Sequence, residues 1–162
     1  MPLPEIKPAR YLAGVSLFND TYIYCFDGCV AKIDPTAIFC RLKIGDKQWE
    51  KLEVDFKWKN RTQCHAIQCG KKEIVVFGGV NQGSTTSYFK ESNILMVERG
   101  NESDVHIMSK ASDLFGNSSF YSTIAPVICD NFAVAVDHDR NIHTFSFSDK
   151  KWDFRKASSY SS

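Results

Sequence analysis

The stretch that most constrains the fold spans residues 73–80 and ends in a pair of glycines before Val80. Its apolar part, residues 74–77, is too short for a helix, and its β-branched residues are typical of a strand buried on both faces. Adjacent glycines inside a strand would only weaken it, because glycine loses the most backbone freedom on folding. Gly78 and Gly79 therefore predict a turn at the strand end, where a positive φ or close backbone packing excludes a Cβ atom.

The pattern around this strand recurs along the chain. Ile23 and Ile74 lie in corresponding runs 51 residues apart, and Phe132 begins the next such run 58 residues after Ile74. A repeat of about 50 residues, with four short strands in each copy, is the spacing of propeller blades. The sequence therefore predicts a lead-in at 1–9, repeats at about 10–58, 61–108 and 120–156, and a flexible tail at 157–162.

Alternating side chains and turn residues predict the strands within each repeat. The first repeat has candidates at 11–18, 22–26, 29–34 continued by 37–44, and 49–54. The second has 63–69, 74–77, 93–98 and 105–108, and the third has 121–124, 132–136, 142–147 and 152–154. Asn19 and Asp20 predict a tight turn, residues 81–92 an exposed loop, and residues 113–115 a helical turn.

These features resemble kelch repeats, in which a glycine pair closes the second strand and a tryptophan opens the outer strand. Gly78 and Gly79 match the glycine pair, Gly28 matches its second member, and Trp49 and Trp152 match the tryptophan. The resemblance implies an all-β fold, a kelch-like partial β-propeller of about three four-stranded blades, with these five residues defining the repeat.

Two departures from the kelch pattern leave another fold open. The second repeat has no tryptophan near Val105, and the third has Asp137 and His138 where the glycines belong. A diverged all-β sandwich is the alternative.

Three repeats are too few to close a propeller, which takes about four to eight blades. The open blade edges predict a covering partner, either a second copy of the chain or another protein. The kelch resemblance implies protein partners such as cytoskeletal elements or ubiquitin-ligase clients, although no BTB-type region precedes the repeats.

Composition excludes several classes of function. The net charge of +1 gives no basic face for nucleic acid, and no run approaches the 18 apolar residues that membrane insertion by a helix requires. The start of the chain lacks the apolar core of a signal peptide, so we expect an intracellular, cytoplasmic protein. In that setting the six cysteines are interpreted as reduced, largely buried thiols.

No metal site is expected from the cysteines. Cys25 with Cys29, and Cys64 with Cys69, have spacings that resemble metal ligands. Neighbouring strand residues point to opposite faces of a sheet, so we interpret the members of each pair as separate, buried structural thiols. For the same reason Cys64 cannot form a catalytic dyad with the adjacent His65. Redox sensing by Cys29 in a loop stays open.

Acid–base and phosphate chemistry are weakly indicated. His138 and His143 could pair with Asp137 and Asp139, but residues 137–141 are more typical of a solvated hairpin turn. The glycines at 78–83 lack the spacing of a phosphate loop and no helix follows them.

The sequence thus predicts a non-enzymatic protein–protein interaction or scaffold module, a subunit of a larger assembly, without cofactor or metal. Trp58, Tyr88 and Phe89, in the 56–60 connector and the 81–92 loop, are the candidate contact residues. The alternative is a small-molecule enzyme or ligand-binding propeller that forms by dimerisation.

Overall fold

A computed structural model of the chain describes residues 3–6, 13–26, 28, 39–52, 61–82, 86–97, 105–111 and 124–156. Within these ranges the fold is all-β, with fourteen strands and no helix. The strands are β1 Gly14–Phe18, β2 Tyr22–Phe26, β3 Phe39–Lys43, β4 Glu50–Leu52, β5 His65–Gly70, β6 Glu73–Phe77, β7 Val80–Gln82, β8 Thr86–Tyr88, β9 Ser92–Val97, β10 Val105–Ala111, β11 Val127–Cys129, β12 Phe132–Val136, β13 Ile142–Ser146 and β14 Lys151–Arg155. The described segments include no apolar helix long enough to cross a bilayer.

The strands form three antiparallel sheets of four strands each. Sheet 1 has the order β1-β2-β3-β4, sheet 2 the order β5-β6-β9-β10, and sheet 3 the order β11-β12-β13-β14. The hairpin β7-β8 is inserted between β6 and β9 of sheet 2. Each sheet is therefore a meander in which strands pair with their neighbours in the chain, as short turns between antiparallel strands favour.

The turn between β1 and β2 shows how local sequence sets strand register. Asn19 and Asp20 both have positive φ, 48° and 50°, and the Thr21 N–H donates to the Phe18 carbonyl at 3.1 Å. Two consecutive residues with positive φ fit the right-handed twist of a hairpin, and asparagine and aspartate tolerate this conformation best after glycine. The predicted turn is confirmed.

Sheet 2 lies between the other two sheets, and β6 is buried on both faces as predicted. Ile74 and Val76 point toward sheet 1, whereas Val75 and Phe77 point toward sheet 3, and all four are 0% exposed. This explains why residues 74–77 do not alternate between apolar and polar: a strand with a sheet on each side must be apolar on each side.

Two hydrophobic cores hold the stack together. Core 1 joins sheets 1 and 2, and core 2 joins sheets 2 and 3. The main side chains of core 1 are Phe18, Tyr24, Phe26, Phe39, Ile74, Val76 and Leu95, and those of core 2 are Val75, Phe77, Ile94, Ala133, Ala135, Phe145 and Trp152. Seven aromatic side chains thus lie buried between sheets, where ring burial contributes strongly.

The structure also corrects some predictions. Residues 81–92 are not one exposed loop, because β7 and β8 form a hairpin there and Ser92, 0% exposed, begins β9. The first strand of the third sheet is β11, which begins at Val127, whereas Ile124 lies in a bend before it. The strand predicted at 29–34, the helical turn at 113–115, Cys29 and the tail at 157–162 lie outside the described residues.

Candidate protein interface

The repeat-defining glycines occupy strand-end positions that glycine alone adopts easily. Gly28, Gly78 and Gly79 have φ values of 94°, 66° and 92°. A Cβ atom on Gly79 would lie 2.6 Å from the Thr62 carbonyl oxygen and 2.9 Å from Cγ of Arg61. The sequence predicts a positive φ or close packing at this turn, and Gly79 has both.

Arg61 anchors this glycine turn and was not singled out by the sequence. Its side chain is only 2% exposed, and its guanidinium donates to the Val76 carbonyl at 3.4 Å and to Oδ1 of Asn93 at 3.2 Å. The guanidinium carbon also lies 4.3 Å from the ring centroid of Phe89. Phe89 is 8% exposed, so its interpretation as a protein contact does not fit its position: it packs on Arg61.

The two tryptophans of the repeat pattern have different surroundings. Trp152 is 5% exposed, its indole N–H donates to Oγ of Ser92 at 2.9 Å, and it packs on Phe77 of sheet 2. Trp49 is half-buried just before β4, and its indole N–H donates to the Pro4 carbonyl at 2.9 Å. Trp152 thus joins two sheets, whereas Trp49 holds the lead-in segment against sheet 1.

A polar contact closes the outer rim between sheets 2 and 3. Nζ of Lys150, in the β13–β14 turn, lies 2.5 Å from Oε2 of Glu73 and 2.9 Å from the Cys69 carbonyl oxygen. Burial raises the pKa of the Cys69 thiol to about 11, although the nearby Lys150 cation acts to lower it. Cys69 is therefore a protonated, inert thiol at neutral pH.

Asp137 and His143 are paired, in a way that the sequence only partly suggested. Nε2 of His143 lies 3.0 Å from Oδ2 of Asp137, and their side chains are both 0% exposed. Asp137 also accepts hydrogen bonds from the backbone N–H and the side-chain amide of Asn141, at 2.8 and 2.9 Å. The prediction of a solvated turn is therefore right for His138 and Asp139, which are exposed, and wrong for Asp137. This buried pair holds the β12–β13 hairpin closed.

Cys64 and Cys69 are separated as predicted. Cys64 belongs to core 1 and Cys69 to core 2, so the intervening strand keeps their thiols on opposite faces. Burial lowers the pKa of His65 below its ordinary 6.5, and its ring stacks near Phe77. In the described part of the chain, no three His, Cys, Asp or Glu side chains are grouped to hold a metal ion.

Sheet 3 exposes an apolar surface on the side away from sheet 2, which we call the outward face of sheet 3. Its apolar part consists of Val127, Phe132, Val134, Val136 and Ile142, which the strand register places side by side. Val127, Phe132 and Ile142 are 61%, 41% and 43% exposed. Toward β13 and β14 this face becomes polar. A groove of about 670 Å³ lies there, and Ser146, Lys151 and Asp153 are among the residues that line it. An apolar centre with a charged rim is the composition of a protein interface.

Sheet 1 carries a second, smaller surface on the side away from sheet 2, the outward face of sheet 1. The register places six apolar side chains on it, which alternate with the core 1 residues of the same strands: Val15, Leu17, Ile23, Cys25, Cys40 and Leu42. Cys25, Cys40 and Leu42 are buried within the chain, and the exposed part is the edge at β1. Val15 and Leu17 are 55% and 50% exposed. The first and last sheets of the stack thus each leave apolar side chains uncovered.

The remaining predicted contact residues lie elsewhere. Tyr88 ends β8 and is 47% exposed at the β7-β8 hairpin, apart from the two outward faces. Trp58 lies outside the described residues. The sequence missed the outward faces because apolar alternation in a strand looks the same whether the apolar side is covered or not.

Comparison with known proteins identifies the fold alone. No protein-family model matches the sequence, and no curated protein is significantly similar to it. The solved structure of YjhT is similar in fold over 98% of this chain, with a TM-score of 0.68 and 13% sequence identity. This chain spans 54% of the YjhT chain. The fold of YjhT thus includes about as much chain again.

Proposed function

We propose that the three sheets are blades of a kelch-like β-propeller and that the chain is a non-enzymatic protein–protein interaction module. In this proposal the module is a subunit of a larger assembly, in which other protein surfaces cover its open ends. The observation that carries the proposal is the outward face of sheet 3, where Val127, Phe132 and Ile142 are exposed together.

The propeller part of the proposal is supported by how the sheets follow one another. Each sheet is an antiparallel meander, which in sheet 2 is interrupted by the β7-β8 hairpin, and each sheet packs face to face on the next through a core. The glycine turn after β6 and the tryptophan of β14 lie where the kelch pattern expects them. A blade stacked this way needs a neighbouring sheet on both faces, and among the described residues only sheet 2 has two such neighbours.

The interaction part is supported by the cost of leaving such a face in water. Each fully buried Val, Ile or Phe side chain contributes about 1.5–3 kcal/mol, and sheet 3 forgoes much of that for three side chains. The opposite face of the same sheet carries Ala133, Ala135 and Phe145, which are all buried. On β12 both faces are apolar, and we interpret the exposed one as a surface that becomes buried on assembly.

The non-enzymatic part is supported by what the reactive side chains do. Asp137 and His143 are fully buried and hold a hairpin closed, and Lys150 and Glu73 bridge two sheets. These are structural uses of groups that an active site would present to a substrate. The proposal keeps the cytoplasmic setting expected from the sequence, in which buried thiols such as Cys25 and Cys40 persist in the reduced state.

A site-specific photo-crosslinker tests the proposal in cells that express the full chain. The crosslinking amino acid replaces Phe132 on the outward face of sheet 3 or, as a matched control, Asp139 in the exposed turn of the same sheet. We expect a discrete cross-linked protein from position 132 and none from position 139. Equal, diffuse labelling from both positions would show that the outward face binds nothing specific.

A further inference from the structure

We infer that the partner of the outward face of sheet 3 is a second copy of this chain, which presents the outward face of its own sheet 1. Two chains then form a closed ring of six sheets with two identical junctions. This inference rests on the proposed function and names its partner.

The outward face of sheet 3 is of the same kind as a face already packed within the chain. In β6, Val75 and Phe77 face the following sheet, and in β12 the corresponding residues Val134 and Val136 face outward from sheet 3. Sheet 3 therefore leaves exposed the face that corresponds to the one by which sheet 2 packs against sheet 3.

The first strand of sheet 1, at the other end of the stack, likewise corresponds to a strand that is packed within the chain. Sheet 2 presents Ala66 of its first strand to the preceding sheet, and sheet 1 has Val15 and Leu17 on the corresponding side of its own first strand. The first strand of sheet 1 thus stands to the outward face of sheet 3 as β5 stands to sheet 1 inside the chain, and a second copy would make the contact through the exposed β1 edge.

The amount of chain in the fold also fits two copies. This chain covers 54% of the YjhT chain, so the fold that it resembles includes nearly twice as much protein. Two copies of a three-sheet chain supply that amount. Two-fold symmetry satisfies both open ends at once, because each copy offers one outward face of each kind.

Charges at the rim fit the same arrangement. Inside the chain, Lys150 lies two residues before Trp152 and reaches the β5–β6 turn of the preceding sheet. Lys47 has the same position relative to Trp49, and the β11–β12 turn of sheet 3 carries Asp130; Lys47 and Asp130 are both exposed. A second copy would bring this lysine and this carboxylate to the same rim.

The lead-in segment does not block the junction. The Pro4 carbonyl accepts the indole N–H of Trp49 at the outer end of sheet 1, while Val15 and Leu17 on β1, the opposite edge strand, stay exposed. The β1 edge of the outward face of sheet 1 is therefore accessible with this segment in place, whereas Cys25, Cys40 and Leu42 on the same face are already buried within the chain. The experiment uses the full chain.

Sedimentation velocity of the full chain, with one charged variant for each face, tests the inference. Phe132→Asp places a charge on the outward face of sheet 3, and Leu17→Asp places one on the outward face of sheet 1. Ile128→Asp is the matched control, because Ile128 is 58% exposed on the opposite face of sheet 3. We expect dimers from the wild type and from Ile128→Asp over about 1–100 µM. Each face variant alone should raise the dissociation constant at least about tenfold, since a charge would be buried at both junctions.

Mixing the two face variants gives the decisive result. One copy then keeps its sheet 1 face and the other keeps its sheet 3 face, so one of the two junctions is intact. The mixture should therefore dimerise more tightly than either variant alone. Pairing of sheet 3 with sheet 3 would instead be abolished by Phe132→Asp and unaffected by Leu17→Asp, which would overturn the inference. Circular dichroism melts show whether each variant is folded. If an Asp variant unfolds, Phe132→Ser and Leu17→Ser are used in place of the two Asp variants.

The two proposals fail separately. A wild-type chain that stays monomeric throughout this range, while position 132 cross-links to a different protein in cells, would overturn the second-copy inference and leave the proposed function standing. A monomer without any specific cross-link would overturn both.

Discussion

The rings of Trp152 in β14 and Phe77 in β6 meet edge to face, with their centroids 4.7 Å apart. This contact joins the outer strand of sheet 3 to β6, one of the strands of sheet 2 that contribute side chains to both cores. The indole N–H of Trp152 donates to Ser92 of the same neighbouring sheet, so one side chain combines ring packing with a buried hydrogen bond.

Trp152→Ala should destabilise the chain by about 3–5 kcal/mol, because it leaves a cavity in core 2. Trp152→Phe keeps most of the packing and should cost less. Trp49→Ala is the control, since Trp49 is only half-buried and contacts the lead-in segment. Urea denaturation followed by circular dichroism measures all three, and equal losses for Trp152→Ala and Trp49→Ala would contradict the account.

Gly79→Ala should cost about 1–3 kcal/mol through backbone strain, with a further loss because its Cβ would lie 2.6 Å from the Thr62 carbonyl oxygen. Gly45→Ala separates these two effects. Gly45 has a similar φ of 100°, but a Cβ there would have nothing within 4 Å. Denaturation midpoints should therefore fall further for Gly79→Ala than for Gly45→Ala. A larger fall at Gly45 would show that the close packing at Gly79 is relieved without cost.

His65 should make stability depend on pH. Burial lowers its pKa in the folded chain below the ordinary 6.5, so the unfolded chain takes up a proton first as the pH falls. Its contribution to stability is complete above about pH 6.5 and is lost as the pH drops toward the lowered value. In His65→Gln the free energy of unfolding should fall less between about pH 7 and 5 than in His138→Gln, which changes an exposed turn residue. Identical slopes for the two variants would refute this.

Cys69 should resist alkylation in the native chain. With a pKa of about 11, about one thiol in a thousand is ionised at pH 8, and the side chain is buried. Cys129 is half-buried in β11 and should react with iodoacetamide first. Peptide mass spectrometry over a time course measures both rates, and in urea the difference between them should disappear. Rapid native modification of Cys69 would mean that sheets 2 and 3 separate readily.

Much of the fold could be predicted because its signals are local. The strands β2 and β12 begin and end where alternation and turn residues place them, at 22–26 and 132–136. The burial of β6 on both faces follows from its unbroken apolar run. The glycine turn could be predicted because only residues without a Cβ suit its φ and its packing.

The parts that could not be predicted depend on residues far apart in the chain. Arg61 is held by groups about thirty residues away, including Asn93, and Lys150 meets Glu73 across 77 positions. Phe89 looked like an exposed contact because nothing near it in sequence indicates that Arg61 covers it. The outward faces could not be predicted for a related reason: only the packing of the three sheets determines which apolar sides stay exposed.

Hydroxyl-radical footprinting of Phe132 tests most directly whether the outward face of sheet 3 is covered by protein. The wild type is compared at the same concentration with Leu17→Asp, in which this face is intact but its proposed partner surface is disabled. Tyr88, exposed at the β7-β8 hairpin, serves as the internal standard. We predict that Phe132 is oxidised severalfold less than Tyr88 in the wild type and regains reactivity in Leu17→Asp. An unchanged ratio of Phe132 to Tyr88 oxidation in the two proteins would contradict the account.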